Sequence, residues 1–313
     1  MKVLITGASG YLGGRFTDFF SKKYDLRLAS RKEILNIDSS GQFTIEQSLI
    51  NWEDLESINN SLVNIDTVIH LAGLNAEESF KNPTKAIEIN KNNTQKILAL
   101  SVKNNVENFI YLSTAHVYAN PLQGIISEDS PIEGDHPYAT SHFMGENILY
   151  DMHSKGLING KILRLSNAYG PPVNKSANCW MLIINDLCIQ LVINKRMKLK
   201  TNGNQRRNFI SISDTSKAIE HLIHIKPQAN PVFNIGSKWN PKIKEVVDYL
   251  ADRFEIIGNY RPDIIFNDDD TQESLQLDYR IDKLLESGFS FDNPDSKEAE
   301  IDKLIKKCIE FYD

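Results

Sequence analysis

Cysteine is scarce in this chain, which has only Cys179, Cys188 and Cys308 among its 313 residues. They form no Cys-x-x-Cys pair, and three thiols cannot all be joined in disulfides within one chain. This scarcity excludes a small scaffold held together by disulfides, and it offers no spacing typical of a zinc site. We therefore predict reduced thiols, an intracellular protein and no bound metal ion.

The sequence also lacks long apolar runs and strongly basic blocks. No run approaches the roughly 18 residues of a membrane-spanning helix, and Gly7 interrupts the first apolar stretch where a signal peptide would continue. Lys and Arg occur in runs of at most two, and 35 basic against 41 acidic residues leave a net charge of −6. Phosphate neutralisation on a nucleic acid or an anionic membrane is therefore not expected. These features predict a cytoplasmic protein that binds neither nucleic acid nor a membrane.

The composition is otherwise that of an ordinary globular protein, with 41% hydrophobic and 24% charged residues. Short apolar runs bounded by turn residues, typical of buried parallel strands, occur at residues 3–6, 26–30, 67–72, 108–113 and 161–167. Segments with apolar residues spaced three and four apart, typical of helices, occur at residues 11–23, 52–62, 85–104 and 138–154. This alternation predicts an α/β fold built on a doubly wound parallel sheet.

The alternation weakens after Tyr169, which predicts a domain boundary close to that residue. A large first domain is expected over residues 1–169, with residues 208–238 returning to it. A smaller C-terminal α/β lobe is expected over residues 170–313. Helical patterns in this lobe lie at residues 179–193, 242–254 and 299–311.

A glycine-rich turn, Gly7-Ala-Ser-Gly10-Tyr-Leu-Gly13, follows the first predicted strand and opens the first predicted helix. Glycine permits a tight turn, close approach of the backbone to a pyrophosphate, and close packing of helix on strand, while the helix N-terminus offers N–H donors. The spacing differs from the Gly-x-Gly-x-x-Gly fingerprint, and an ordinary turn is the alternative explanation. The position between strand and helix favours a dinucleotide site.

Further motifs follow in order along the chain. They are His70-Leu-Ala-Gly73, Asn90 with Thr94, Ser113-Thr114-Ala-His-Val-Tyr118, Tyr138 with Glu146, Arg164-Leu-Ser-Asn167-Ala-Tyr-Gly-Pro171, the stretch from Gly203 through Arg207 to Asp214, Phe233-Asn-Ile-Gly236, and Leu277-Asp-Tyr-Arg280. With the glycine spacing, they resemble the extended short-chain dehydrogenase/reductases, the NAD(P)-dependent sugar-nucleotide epimerase/dehydratase family. The resemblance implies a Rossmann dinucleotide-binding domain, a smaller substrate-binding lobe, a nucleotide-sugar substrate, and a homodimer formed through helices at residues 85–104 and 138–154.

The residues after the second predicted strand bear on the choice between NADP and NAD, because a carboxylate there accepts hydrogen bonds from the adenosine ribose and repels a 2′-phosphate. This chain has Ser30-Arg31-Lys32 instead, so we predict NADP, with NAD as the alternative. A solvated basic pair at a helix start would also explain these residues. Family members often carry Asp where Ser48 stands, so adenine contacts are expected from the backbone and from Leu49. The resemblance implies cofactor contacts from Gly7, Ser9, Gly10, Tyr11, Leu12, Gly13, Arg31, Lys32, Ser48, Leu49, Leu71, Ala72, Gly73, Asn90 and Ser113.

Hydride transfer at a carbinol carbon needs a group that gives or takes the hydroxyl proton. In the family this group is the Tyr of a Tyr-x-x-x-Lys motif, assisted by Ser or Thr, and Tyr138 and Thr114 match those positions. The family's Lys would bind the nicotinamide ribose, but here His142 stands on the same helix face. A neutral imidazole cannot supply the roughly 4 kcal/mol that lowers a tyrosine pKa from about 10 to about 7.

Three outcomes of this replacement stay open. Tyr138 remains protonated and acts as an acid in the reducing direction, or His142 becomes cationic beside a cofactor phosphate and replaces the lysine, or the site has lost its chemistry. We favour retained activity. A cationic His142 predicts turnover that rises as the pH falls from 8 to 6.

A second histidine, His116, lies two residues before Tyr118. Related dehydratases place Glu at this position and related 3,5-epimerase/reductases place Cys, each as a substrate acid or base. Imidazole suits proton exchange near neutral pH, and a structural histidine beneath a loop is the alternative. Because Ala115 and His116 replace the Asp-Glu pair of a 4,6-dehydratase, dehydration is not expected.

The predicted substrate contacts lie in the second half of the chain. Arg207 is the expected ligand of a nucleotide diphosphate, since guanidinium groups match such anions. Asn167 is expected to line the pocket. Arg280 resembles a second nucleotide contact, although a surface salt bridge would explain it equally well.

Two functions are consistent with these residues. The first is an NAD(P)-dependent reductase or epimerase of a nucleotide-activated sugar, with hydride transfer expected at C4 and Tyr138 as the acid or base. The second is a non-catalytic NAD(P)-binding sensor or scaffold of the same fold. Retention of Tyr138, Thr114 and Arg207 favours the enzyme, because a sensor has little need of them.

Overall fold

The fold comes from a computed structural model, which describes residues 1–34, 41–267, 270–271, 273, 275–291 and 296–312. The strands are β1 (Lys2–Thr6), β2 (Asp25–Ser30), β3 (Ile45–Leu49), β4 (Thr67–His70), β5 (Asn108–Thr114), β6 (Gly124–Ile126), β7 (Asn159–Leu165), β8 (Asn167–Tyr169), β9 (Arg196–Lys198), β10 (Phe209–Ser211), β11 (Val232–Ile235), β12 (Asp263–Ile265) and β13 (Leu277–Tyr279). The α-helices are α1 (Tyr11–Phe20), α2 (Leu55–Ser61), α3 (Ala76–Lys81), α4 (Pro83–Ala86), α5 (Thr94–Lys103), α6 (Pro137–Ser154), α7 (Ile183–Asn194), α8 (Ile212–His224), α9 (Ile243–Gly258), α10 (Asp282–Glu286) and α11 (Ser296–Tyr312). A π-helix (Ile87–Asn93) joins α4 to α5, and a 3-10 helix (Ala115–Val117) follows β5.

The largest sheet has seven strands in the order β11-β7-β5-β4-β1-β2-β3. Neighbouring strands from β7 across to β3 are parallel, and Val3 lies opposite both Leu26 and Thr67. The chain winds outward in both directions from β1 and β4, so the connections diverge between these two strands. In such sheets the crevice at the carboxyl ends of the diverging strands is the usual ligand site. The predicted doubly wound α/β fold is confirmed.

One compact unit contains residues 1–120, 131–165 and 218–234. Its sheet strands are almost continuously apolar because helices cover both faces of a parallel sheet. Leu4, Val68, Phe109 and Ile162, one from each of four adjacent strands, are fully buried in its core.

The other compact unit contains residues 121–130, 166–217 and 235–313. Its core consists mainly of the apolar faces of α7, α9 and α11, with Leu187, Leu191, Val246, Leu250 and Leu304 fully inaccessible to solvent. Three two-stranded parallel pairs, β8 with β10, β9 with β12 and β6 with β13, complete it.

The chain passes between the units earlier than the boundary expected from the sequence at Tyr169. Strand β8 pairs with β10 inside the second unit, so the passage comes after Leu165. Residues 121–130 also belong to the second unit, because β6 pairs there with β13. The returning segment is residues 218–234 instead of 208–238.

Several elements differ in extent from their sequence patterns. Helix α2 begins at Leu55, three residues after the predicted start, because the Asp54 carboxylate caps it by accepting from the Glu56 amide. The helix predicted over residues 85–104 contains the π-helix, and the strand predicted over 161–167 is interrupted at Ser166.

Candidate active site

The glycine turn after β1 has the geometry that its sequence predicts. Gly7 has φ +67°, and a Cβ there would lie 2.9 Å from the Ala72 amide nitrogen. The Gly10 amide donates to the Gly7 carbonyl at 2.9 Å, which closes the turn at the start of α1. A Cβ on Gly13 would overlap the Gly7 carbonyl oxygen. Glycine at residues 7 and 13 is therefore required by the close approach of β4 and of α1.

A cavity of about 620 Å³ opens at the carboxyl ends of β1 and β4. The predicted cofactor residues that line it are Gly7, Ser9, Gly10, Arg31, Leu71, Ala72 and Gly73. Its other lining residues are Ala29, Ser30, Ile50, Asn51, Trp52, Glu53, Leu74, Glu78, Lys85, Glu88, Ile89 and Asn93. The cavity lies at the divergence point of the sheet and at the N-terminus of α1, as a pyrophosphate site requires. These residues fit a dinucleotide, since the glycine turn brings backbone to the cavity surface at the start of α1 and the volume is large enough for such a ligand.

Other predicted cofactor residues lie outside the cavity lining. They are Tyr11, Leu12, Gly13, Lys32, Ser48, Leu49, Asn90 and Ser113. Leu49 leaves 64% of its surface exposed at the end of the outermost strand β3. The lining begins one residue later, at Ile50, and continues to Glu53. Sequence reasoning missed this segment, although its position directly after a strand was a usable signal.

Asn90 and Ser113 do not line the cavity, but their side chains form hydrogen bonds with neighbouring segments. The Asn90 side chain accepts from the Leu74 amide at 2.7 Å and donates to the Ser141 hydroxyl at 2.9 Å. Asn90 therefore ties the segment after β4 to α6. The Ser113 hydroxyl donates to the buried carboxylate of Glu146.

The predicted catalytic residues meet where β5 ends and α6 begins. Thr114 is the last residue of β5, and Tyr138 lies in the first turn of α6. The Thr114 side chain hydrogen-bonds the Tyr138 phenol. His142 follows one turn later, with its ring 4.6 Å from the Tyr138 ring and steeply inclined to it. Gly73 lines the cavity. A Cβ placed on Gly73 would lie 3.8 Å from His142 Nε2, which is an ordinary van der Waals distance.

Burial decides the charge of these groups. It raises the pKa of Tyr138 above the ordinary tyrosine value, and the Thr114 hydrogen bond opposes this rise only in part. Burial also lowers the pKa of His142 to about 4. His142 is therefore neutral and Tyr138 protonated near neutral pH, which favours the first of the three outcomes left open by the sequence: an acid that works in the reducing direction.

His116 lies in the 3-10 helix after β5 and is partly buried. Its backbone amide donates to the Thr114 hydroxyl at 3.2 Å, so the turn that carries His116 also orients Thr114. A role for its imidazole as a substrate acid or base stays a prediction.

The predicted substrate residues all belong to the second unit. The Asn167 side chain donates to the Asn208 carbonyl at 2.8 Å. Arg207 has an exposed side chain and forms no ion pair with any residue in the described part of the chain. Arg280 is exposed and pairs with Asp278 at 3.2 Å. Their roles in substrate binding stay predictions.

Within the described ranges, no three His, Cys, Asp or Glu side chains lie close enough together to hold a metal ion. No helix there combines the length and the apolar character needed to cross a bilayer.

Comparison with known proteins decides the family. Residues 3–236 match the family model of the NAD dependent epimerase/dehydratase family. The chain belongs to this family. The resemblance drawn from the motifs is thereby confirmed, and the relatives in this family are enzymes.

Several known proteins are similar to this chain over most of its length. A UDP-glucose 4-epimerase of Dictyostelium discoideum is 28% identical over 308 residues, which cover 88% of this chain and 89% of that protein. A UDP-glucuronic acid 4-epimerase of Bacillus cereus, solved with UDP-glucuronic acid and NAD, has a TM-score of 0.81 at 22% identity and covers both chains fully. RMD from Pseudomonas aeruginosa, solved with NADPH, has a TM-score of 0.77 at 18% identity, with 99% of each chain covered.

Proposed function

We propose that this protein is an NADP-dependent reductase that transfers hydride to the C4 carbonyl of a nucleotide-activated sugar. Epimerisation at the same carbon is the alternative within the family. The observation that carries the proposal is a protonated Tyr138, hydrogen-bonded to Thr114 and next to a neutral His142, whose ring in turn packs behind Gly73 in the lining of a dinucleotide-sized cavity. Relatives named as UDP-sugar epimerases support the nucleotide-sugar class.

The chain's own residues divide the work as follows. The Gly7 to Gly10 turn and the N-terminus of α1 would hold the pyrophosphate of NADPH, which when bound would supply the hydride. Tyr138 donates its phenolic proton to the carbonyl oxygen as the carbon is reduced, so the C=O double bond becomes C–H and O–H. Thr114 holds the phenol in place. The phenolate then regains a proton from water.

Direction follows from the same charges. An epimerase must also run the oxidising step, in which Tyr138 would accept a proton as a phenolate. The raised pKa of Tyr138, with no cation at residue 142, makes that form scarce near neutral pH. The reducing step instead begins from the protonated phenol, which is the form that burial favours, and therefore we favour a reductase.

The NADP preference rests on Arg31. This side chain is exposed, lines the cavity at the end of β2, and forms no ion pair with any residue for which the structure gives a position. A free guanidinium there suits a 2′-phosphate. The backbone carbonyl of the neighbouring Lys32 accepts a hydrogen bond from the Ser30 hydroxyl. The Lys32 side chain is not part of the cavity lining.

Turnover with defined substrates tests the function. Purified protein with NADPH is mixed with UDP- and dTDP-linked 4-keto hexoses, and loss of NADPH absorbance is followed while mass spectrometry identifies the sugar product. We expect reduction, and we expect Tyr138→Phe to lower kcat by about 10³-fold with little change in cofactor affinity. Interconversion of UDP-hexoses without net NADPH loss would instead establish an epimerase. Thermal stabilisation by cofactor alone, with no turnover of any sugar, would support the sensor.

Dimerisation through the helices at residues 85–104 and 138–154 is also proposed. Ile87 and Tyr150, one on each helical segment, are 38% and 44% exposed and would be covered in such an interface. Light scattering at micromolar concentration should give twice the chain mass, and a monomer mass would contradict the proposal. The cytoplasmic location stays a prediction.

A further inference from the structure

A buried hydrogen-bond chain connects the end of β4 with His142. Thr6 Oγ1 lies 2.7 Å from His70 Nδ1, and His70 Nε2 lies 3.0 Å from Thr94 Oγ1. The Thr94 hydroxyl also contacts the Tyr111 phenol. The Tyr111 phenol lies 3.0 Å from His142 Nδ1. All five side chains are at least nine-tenths buried, so water is not available to change the direction of these bonds.

The proton positions at the start of this chain follow from counting donors. Thr6 Oγ1 accepts from the Leu71 and Ala72 amides at 3.1 and 3.2 Å, so both of its lone pairs are in use. Its own proton must go to His70 Nδ1. Burial lowers the pKa of His70 to about 3, so this imidazole is neutral and carries its proton on Nε2. His70 therefore donates to Thr94.

The same count continues to Tyr111. Thr94 accepts from His70 and has the Asn90 carbonyl as an acceptor at 2.8 Å. The Tyr111 hydroxyl has three acceptors in reach: the Asn90 carbonyl at 3.3 Å, the His142 carbonyl at 3.4 Å, and His142 Nδ1 at 3.0 Å. Hydroxyl bonds are normally 2.5 to 3.0 Å long, and only the last distance falls in that range. In the opposite tautomer His142 Nδ1 would donate to Tyr111 and leave the Tyr111 proton only the two longer carbonyl contacts, so the distances favour donation from Tyr111 to His142 Nδ1.

The Tyr111 hydroxyl packs tightly against helix α6. A Cβ on Gly145 of α6 would lie 2.6 Å from the Tyr111 hydroxyl and 2.9 Å from the Asn90 carbonyl. Glycine at residue 145 thus allows the phenol to approach α6 closely enough to reach the His142 ring. The contact depends on this local fit as well as on the hydroxyl itself.

We propose that Tyr111 is a positioning residue that fixes His142 in the Nε2-protonated form, so that a neutral imidazole presents a hydrogen-bond donor to the cavity beside Gly73. A hydroxyl of the bound nicotinamide nucleotide is the acceptor, and this part of the inference rests on the proposed function. Lysine offers a donor at any protonation state, whereas a neutral imidazole offers one on Nε2 only in one of two tautomers. The hydrogen bond from Tyr111 selects that tautomer.

Nuclear magnetic resonance of the cofactor-free protein tests the tautomer directly. With ¹⁵N-labelled histidine, two-bond proton-nitrogen correlations distinguish protonated from unprotonated ring nitrogens, and His142→Gln assigns the signal among the seven histidines. We expect Nε2 protonated and Nδ1 unprotonated in the wild type. A protonated Nδ1 would overturn the proposal. Since this measurement needs no variant other than the assignment control, misfolding of Tyr111 variants cannot obscure it.

Binding of NADPH tests the positioning role. Tyr111→Phe should weaken NADPH binding by about tenfold, the loss typical of one misplaced hydrogen bond, and should mix the two His142 tautomers. In a His142→Gln background the same substitution should change the dissociation constant less than about twofold. Equal losses in both backgrounds would show a purely structural effect and contradict the proposal.

Tyr24→Phe is the matched control. Its phenol also contacts an imidazole, His224, at 2.8 Å, but it lies outside the cavity lining. NADPH binding should be unchanged in this variant. If the wild type binds neither NADPH nor NADH, the proposed function is wrong, while the tautomer of His142 in the free protein still decides the inference about Tyr111.

Discussion

Two buried polar networks reach helix α6 one turn apart, and they handle charge in opposite ways. At Glu146 the carboxylate accepts from Ser113 and from the Arg164 guanidinium, with the closest Arg164 bond at 2.7 Å. At His142 every member, from Thr6 to Tyr111, is neutral. The ionic network is closed by its own partners, whereas the neutral one ends at the cavity wall beside Gly73.

The ionic and the neutral network together show where this chain tolerates a buried charge. Glu146 and Arg164 are 2% and 5% exposed, and their charges are acceptable because they satisfy each other. His142 is 7% exposed and faces no carboxylate among the residues that contact its ring, so a proton on it would be uncompensated. The cavity therefore receives a donor without a charge.

Breaking the ionic network should have the largest effect. Glu146→Gln leaves Arg164 buried without its counter-charge, and we expect the free energy of unfolding to fall by about 3 to 5 kcal/mol. Urea unfolding followed by circular dichroism measures it. Glu77→Gln removes an exposed ion pair with Lys81 and should leave the free energy of unfolding almost unchanged. Equal costs for the two variants would contradict the distinction between the networks.

Acid should act on the neutral network. The pKa values of His70 and His142 are lowered by burial, to about 3 and about 4, so the native state binds fewer protons than the unfolded state below pH 6.5. Their stabilisation is complete above pH 6.5 and is lost as the pH falls toward these folded values. At pH 5 each histidine should lower the free energy of unfolding by about 2 kcal/mol relative to its value above pH 6.5.

The His70→Gln variant isolates this acid effect. Between pH 7.5 and pH 5 it should lose about 2 kcal/mol less than the wild type, whatever its stability at pH 7.5. His153→Gln, in a histidine outside both networks, should show the wild-type loss. A His70→Gln variant that also loses as much as the wild type would mean that His70 is not held neutral.

The smallest expected effect concerns the cofactor's 2′-phosphate at the other side of the cavity. Arg31→Ala should shift the ratio of NADPH to NADH affinity toward NADH by about tenfold, the value of one charge-assisted contact. Lys32→Ala, next along the chain but outside the lining, is the control and should shift the ratio little. An unchanged ratio in Arg31→Ala would remove the basis for the NADP preference.

The sequence predicts the parts of the site that depend on local patterns. The glycine turn, the Tyr138 and Thr114 pair and the apolar strands each have a short-range signature, and the fold that they imply is confirmed. Strand β3 escapes such reasoning because its residues are half exposed and polar, as in Glu46 and Gln47. Because the sequence patterns do not predict this strand, they do not predict the cavity-lining segment that starts at Ile50 either.

The neutral network has only a partial sequence signature, because His70 and Thr94 stand in the motifs and Tyr111 does not. Tyr111 is one aromatic residue in a buried strand, and its contact with His142 depends on the close approach to α6 that Gly145 allows. The π-helix contributes in the same way, since it places Asn90 where its carbonyl and its side chain reach three different segments. Contacts between residues distant in sequence decide these features, and periodicity does not report them.

The pH dependence of the hydride-transfer step shows whether a neutral His142 stands beside a protonated Tyr138. Single-turnover oxidation of NADPH by a 4-keto nucleotide sugar is measured in a stopped-flow instrument from pH 6 to pH 8.5. With His142 neutral and Tyr138 protonated throughout this range, the rate should stay constant within about twofold. A rate that rises toward low pH with a midpoint near 6.5, and loses that rise in His142→Gln, would show a charged histidine and contradict the account.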